Sequence, residues 1–209
     1  MIRKTYLICS AGLLLAVAAC NSFTGLSTSI SQSAAAKLAA SMDASSSLGA
    51  ADFGLGATVA IRAAGSGVTA AATAPVSINK TFTVTKQCPQ GGSVLIDGTI
   101  VGTGDQTTRS LTVDANATRT DNGCAFQTDD GVLSLNGNPN IVYKGHLNIV
   151  NGMLSGLQTQ SHKGSFKWAR PGGSGTCDID VSSSYDPATR IATVTGTFCG
   201  KTINVTQSR

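Results

Sequence analysis

From Val76 onward, apolar and polar residues alternate with a period of two, and this pattern constrains the fold more than any other feature. Val76, Ile78, Phe82 and Val84 keep one phase; Ser77, Asn79, Thr81, Thr83 and Thr85 keep the other. Successive side chains of a strand point to opposite faces, so such a segment buries one face and wets the other. Similar runs occupy 93–101, 107–117, 123–128, 131–137, 141–150, 153–162, 164–170, 176–184, 190–198 and 201–207. Turn-forming residues separate them: Gly102–Asp105, Asn122-Gly123, Asp130-Gly131, Asn138-Pro139-Asn140, Pro171-Gly172-Gly173 and Asp186-Pro187. The expectation is a mainly β fold, an antiparallel meander of about ten to eleven strands forming a curved sheet or barrel-like structure.

Composition agrees. All 11 acidic residues are Asp and none is Glu. Asp favours turns and caps, whereas Glu favours helices. The hairpin centred on Asn151-Gly152 carries the preferred pair for a type I′ turn. It sets Val150 opposite Met153, Ile149 opposite Leu154 and, if continued, His146 opposite Leu157. Ile141, Tyr143, Leu147, Ile149 and Leu154 then share the core face; Lys144, His146, Asn148, Ser155 and Thr159 share the wet one. Gly92–Gly98 weakly resembles Gly131–Gly137, which is too short a match to define a repeat.

The N-terminal region is of another kind. Arg3 and Lys4 precede an apolar run, Tyr6–Ala19, which is too short to span a bilayer. Small residues, Val17-Ala18-Ala19, then lead to Cys20, the layout of a processed export signal. This tetrapeptide resembles the lipobox of bacterial lipoproteins; the alternative is an ordinary secretory peptide with a chance cysteine. The resemblance implies that Cys20 becomes the lipidated first residue, with the membrane as its partner through the lipid anchor. Asn21 in place of Asp after the cysteine implies the outer membrane, facing the periplasm or the cell surface. The chain is expected to divide into a signal at 1–19, a lipidated tether at 20–75 and an antiparallel β domain at 76–209. Within the tether, Ile30–Met42 and Ala50–Ala64 are candidate short helices, and 63–75 reads as a loop. The bland alternative is a mostly disordered stalk. Net charge falls from +4 to +2 without Arg3 and Lys4, too little to argue for nucleic acid.

Of the six cysteines, Cys88, Cys124, Cys177 and Cys199 remain once Cys9 and Cys20 are set aside. An even number in an exported chain points to two disulfides; a zinc site is the rival, without a close Cys-x-x-Cys pair to support it. Cys88 and Cys124 flank a hairpin turning near Gly104–Gln106, and Cys177 and Cys199 flank the turn at Asp186–Thr189. This favours the pairs 88–124 and 177–199 across the open ends of hairpins. The second pair carries a conflict. Placing Cys177 directly opposite Cys199 puts Asp178 and Asp180 on the face of Phe198 and Val194. A one-residue offset restores amphipathic faces but parts the sulfurs, unless a β-bulge near Gly196 intervenes.

The residues suggest no catalytic site and no cofactor. His146, on the polar face and not beside a carboxylate, and His162, at a strand end, are read as surface histidines rather than general bases. Gly196–Thr202 is a P-loop lookalike followed by a strand, and Ser77-Ile-Asn-Lys80 lies on a strand where the penicillin-recognising Ser-x-x-Lys needs a helix. Asp178 with Asp180, and Asp129 with Asp130, could touch calcium, but solvated acids are the simpler reading. Phe166 and Trp168, between Lys163 and Arg170, are read as core aromatics rather than a lipid- or glycan-facing strand. Three functions follow. The first is an envelope lipoprotein with a non-catalytic binding or structural domain, its protein, glycan or lipid ligand unknown. The second is a carrier or chaperone of an apolar ligand, resembling the half-barrels of lipoprotein-sorting and lipid-transfer proteins. The third, an envelope hydrolase, needs a histidine brought beside both a Ser and an Asp in a cleft.

Overall fold

The computed structural model describes residues 29–49, 51–53, 75–105, 107–137 and 141–208. Cys20, Asn21–Thr28 and almost all of the second candidate helix lie outside them. Among the described residues one helix, α1 (Gln32–Ser46), precedes ten strands: β1 (Val76–Gln87), β2 (Ser93–Asp105), β3 (Ser110–Thr128), β4 (Gly131–Gly137), β5 (Ile141–Val150), β6 (Met153–Leu154), β7 (Gln158–Arg170), β8 (Gly173–Asp186), β9 (Ile191–Phe198) and β10 (Lys201–Ser208). All pair antiparallel in one sheet. The chain departs from a simple meander at its centre. β4 and β5 share the slot between β3 and β7: β4 pairs with one half of each, β5 with the other. The ladder therefore closes as a partial ring, while β1 pairs only with β2 and β10 only with β9 among the described residues.

Two expected boundaries are corrected. The polar stretch 118–122 is not a gap between strands; it is the middle of β3. Asn122-Gly123 is a bulge rather than a turn, with Gly123 at φ +62° and a register shift between Asn122 and Cys124. The extra residue reverses the alternation, so Cys124 and Phe126 face the same core as Leu111 and Val113. The run 153–162 is also broken. After Leu154 the chain leaves the ladder, and β7 begins at Gln158. Gln158 fills the vacancy: its Oε1 accepts from the Asn148 amide at 2.8 Å, and its Nε2 donates to the carbonyls of Asn148, Ser155 and Gly156. A side-chain amide thus replaces a backbone partner. The excursion moves the register by two residues, so His146 faces Thr159, not Leu157.

The helix expected within the tether region belongs to the core. Ser31 caps it, its Oγ accepting from the Ala34 amide at 3.2 Å. Ala34, Ala35, Leu38, Ala39 and Met42 are buried together with Ile96, Ile141, Phe166, Val194 and Phe198 of the sheet. The alanines make the apolar stripe thin and let the backbone approach the sheet closely. At its other end α1 meets Arg119, whose Nη1 donates to the Met42 carbonyl at 2.9 Å and to Ser46 Oγ. A cation there complements the helix C-terminus. Asp121 accepts from Arg119 Nε at 3.1 Å and Nη2 at 2.6 Å, and both side chains are fully buried. A buried guanidinium needs such complete pairing.

Both expected disulfides are present, Cys88–Cys124 and Cys177–Cys199, with Cα separations of 5.4 and 4.6 Å. Their settings differ from expectation. β2 lies between β1 and β3, so the Cys88 bridge does not close a hairpin. The 88–92 turn instead folds over the end of β2, its Cys88 carbonyl held by Gly91 and its Gln90 amide donating to Ala125. In the second pair the strands take the amphipathic offset, Ile179 opposite Phe198 and Val181 opposite Gly196. The sulfurs still meet, because Cys199 has left the strand. It and Gly200 form the β9–β10 turn at φ +51° and +72°, a type I′ geometry that swings Cys199 back towards Cys177.

Candidate functional site

The two ends of the sheet are built differently. The disulfides, the start of α1 and two ion pairs gather at one end. There Asp130 Oδ2 accepts from the Ser31 amide at 2.9 Å and from Arg170 at 2.9 Å, and Asp129 accepts from Lys37. The Ser31 amide is the main cause that holds the Asp130 carboxyl below its usual range, and the Lys37 ammonium does the same for Asp129. The other end carries the β2–β3 and β8–β9 turns and the β5–β6 hairpin. α1 stops short of it.

That uncovered part of the concave face holds a cavity of about 450 Å³. One wall is apolar: Leu48 and Phe53 after the helix, with Val113, Leu147 and Leu154 from the sheet. Phe53 is fixed edge-on against Phe82 at 5.2 Å. The inner end is polar. Asp43 in the last turns of α1 accepts from Gln160 and Ser183, and the Tyr143 hydroxyl donates to Gln160 at 3.3 Å. Burial, with Asp43 and Asp52 nearby, raises the Tyr143 phenol well above its ordinary pKa. An apolar pocket with a few convergent polar groups is the usual build of a small-molecule site. Beside it, His162 corrects the expectation of a surface histidine at a strand end: it lies within β7 and is buried against the Tyr143 ring at 5.4 Å, its Nε2 without a hydrogen-bond partner among the described residues. Burial, helped by the Arg119 charge, pulls its pKa down to about 3, so it is neutral at ordinary pH.

The opposite, outer face is hydroxyl-rich. Two cross-strand rows run over β3, β5, β7, β8 and β9: Asp114, His146, Thr159, Ser184 and Thr193, then Asn116, Lys144, Ser161, Ser182 and Thr195. They line an open groove of about 690 Å³. The pairing of β5 with β3, on the side away from the hairpin, brings His146 to a carboxylate after all: its Nδ1 lies 2.7 Å from Asp114. This corrects the expectation that His146 stands apart from any acid. Among the described residues, no hydroxyl hydrogen-bonds to its other nitrogen, so the pair is two-thirds of a relay.

The remaining sequence candidates are structural. Phe166 and Trp168 are core residues, Phe166 tilted against Phe198 at 5.4 Å and Trp168 under the Arg170 guanidinium at 5.5 Å. Gly175 sits where a Cβ would meet the indole at 3.0 Å. Asp180 pairs with Lys163 at 2.8 Å. Ser77 and Lys80 lie on β1, and Gly196–Thr202 is the β9–β10 hairpin. Among the described residues no cluster of three or more metal-ligating side chains forms. Sequence reading passed over Arg119, Asp121, Asp43, Gln158 and Gln160. It also passed over a repeated signal, Asp-x-x-Thr-Arg, at Asp105–Arg109 and Asp186–Arg190. Comparison with protein-family models, curated proteins and solved structures gives no match.

Proposed function

We propose that this chain is a non-catalytic, lipid-anchored binding protein of the cell envelope, and that its concave cavity takes a small amphipathic ligand. The cavity carries the reading: an apolar wall suits an alkyl or alicyclic body, and Asp43, Gln160 and Ser183 suit a hydrogen-bonding end. Burying such a body contributes about 25 cal/mol per Å² of apolar surface, and the polar end fixes its orientation. Two disulfides support an oxidising compartment, in keeping with the export signal. Of the non-catalytic alternatives, the carrier is favoured over a purely structural domain, because a structural domain has no use for an uncovered concave face.

The test is uptake of N-phenyl-1-naphthylamine by the purified full chain, against an Ala115→Phe variant. Ala115 is buried and lines the cavity, so the larger ring occupies ligand space. The expected outcome is dye fluorescence with the native chain, displaced by a long-chain fatty acid, and at least a roughly ten-fold weaker uptake by the variant at unchanged melting temperature. Equal uptake by both chains rejects the cavity as the site.

A further inference from the structure

The end that holds the cavity also exposes the most apolar surface of the described residues. Met153 is 69 % exposed and Leu157 57 %, with Leu154 and Val150 beside them at 42 % and 40 %. Such residues scattered over a surface need no explanation. Here they share one hairpin and the excursion after it, and Leu154 also lines the cavity. They are held outward. The β5–β6 turn is fixed by the Gly152 amide donating to the Arg109 carbonyl at 3.0 Å, and the excursion is clamped by Gln158.

Two cations belong to the same end. In both Asp-x-x-Thr-Arg turns the Asp carboxylate bonds back into its own turn. Asp105 Oδ1 accepts from the Thr107 amide at 2.7 Å, and Asp186 Oδ1 from the Ala188 amide at 2.9 Å. The Arg closes each turn in the left-handed region, at φ +48° for Arg109 and +58° for Arg190. Gly or Asn is the ordinary choice there. Two unrelated turns at this end of the sheet both keep a strained, long, cationic residue, and the first of them bonds to the apolar hairpin through the Arg109 carbonyl. Both guanidiniums are exposed and have no ion-pair partner among the described residues, while the neighbouring carboxylates are engaged.

We infer that this end is a lipid-surface contact: Val150, Met153, Leu154 and Leu157 enter the acyl boundary of a phospholipid bilayer, and Arg109 and Arg190 take the headgroup phosphates. An apolar tip with cations at its shoulders is how a peripheral element sits in an interface. A protein partner would not need the tip to be continuous with the cavity; an amphipathic cargo drawn from a bilayer does. The inference deepens the cavity reading, because it gives the cavity a loading route, but it is tested by a different observable.

The experiment uses the full chain with Met153→Trp, mixed with vesicles of phosphatidylethanolamine and phosphatidylglycerol, with or without bromine in the acyl chains. Val142→Trp is the reference, since Val142 is 47 % exposed on the outer face of β5, the strand that pairs with that of Met153, and lies at the far end of it from the hairpin. The native Trp168 is buried and gives both variants a common background. The expected result is that brominated lipid quenches the Met153→Trp signal at least roughly three-fold more than the Val142→Trp signal, and that adding Arg109→Gln and Arg190→Gln halves the effect. Equal quenching at both positions would mean that the sheet face meets lipid, and it overturns the inference. So does quenching at neither, or a Met153→Trp emission already blue-shifted before lipid is added, which would mean that protein covers the tip. Quenching without dye uptake in the Ala115 experiment would retain the lipid contact and discard the cavity.

Discussion

At the scale of single residues, the inner face carries two polar groups with opposite solutions to burial. Arg119 is fully paired, by Asp121 and by the end of α1. His162 keeps an unpartnered nitrogen and stays neutral instead, its pKa lowered to about 3. The consequence for stability has a definite sign. Above pH 6.5 the histidine is neutral in both folded and unfolded chains and contributes no pH dependence. Below it the unfolded chain takes up a proton that the folded one refuses, so stability falls as the pH drops from 6.5 towards 3. The slope approaches about 1.4 kcal/mol per pH unit. Tyr143 and Arg119 are the groups facing the ring, and the Tyr143 phenol, held well above its ordinary pKa by burial, stays neutral in that window. Urea midpoints should therefore show a loss of about 2 kcal/mol between pH 7 and pH 5. That loss should vanish in His162→Phe, which keeps the contact with Tyr143. A variant as acid-labile as the native chain would place the titrating group elsewhere. Neither buried group was legible in the sequence. Period-two alternation marks polar residues as outward, and Arg119 with Asp121 broke the apolar phase so fully that the strand seemed to stop.

At the scale of elements, what the sequence revealed and what it hid divide along local and non-local lines. The hairpin turn at Asn151-Gly152 was readable because a type I′ turn demands those residues, and φ values of +54° and +78° bear that out. The ends of β4 and β5 were readable from alternation and turn residues. Their common slot between β3 and β7 was not, because pairing partners leave no trace in a strand's own period. The Gln158 clamp was hidden for the same reason: a polar residue at a core-facing position reads as a fault until its backbone partners are known. Its role is open to test. Gln158→Ala takes their partner from the Asn148 amide and from the Ser155 and Gly156 carbonyls, at a cost of about 1–3 kcal/mol, while the Asn148 carbonyl keeps the Ser155 amide. The loss should be local. Amide exchange at Asn148 and across Ser155–Leu157 should accelerate far more than in β9. Uniform acceleration throughout the sheet would show that the clamp supports the whole fold and not the hairpin alone.

At the scale of the whole molecule, cross-links and ion pairs hold one end while the other is left open. The bridges close 36- and 22-residue separations, and in the loop-entropy model each contributes about 3–4 kcal/mol. Their combined effect is comparable to the entire stability of an ordinary domain. Both act where α1 enters, so the helix is seated by the same end that the disulfides stiffen, and the cavity lies beyond their reach. The sequence announced the cross-links, through an even count of cysteines after Cys20. It could not announce their one-sidedness, which depends on β2 lying beneath the Cys88 turn and on Cys199 leaving its strand. This asymmetry predicts a gradient of hydrogen exchange along β3, β7 and β8. Protection should be greatest near Cys124, Trp168 and Cys177 and weakest near Leu111, Thr159 and Ser184. Reduction with dithiothreitol should abolish the protected end first, releasing α1, whereas an apolar ligand should slow exchange at the open end and leave the other unchanged. Protection that is level along these strands before reduction would sink the two-ended picture. It would also remove the mechanical reason for placing ligand entry at the hairpin, because a uniformly rigid sheet offers no softer end through which the cavity can be filled.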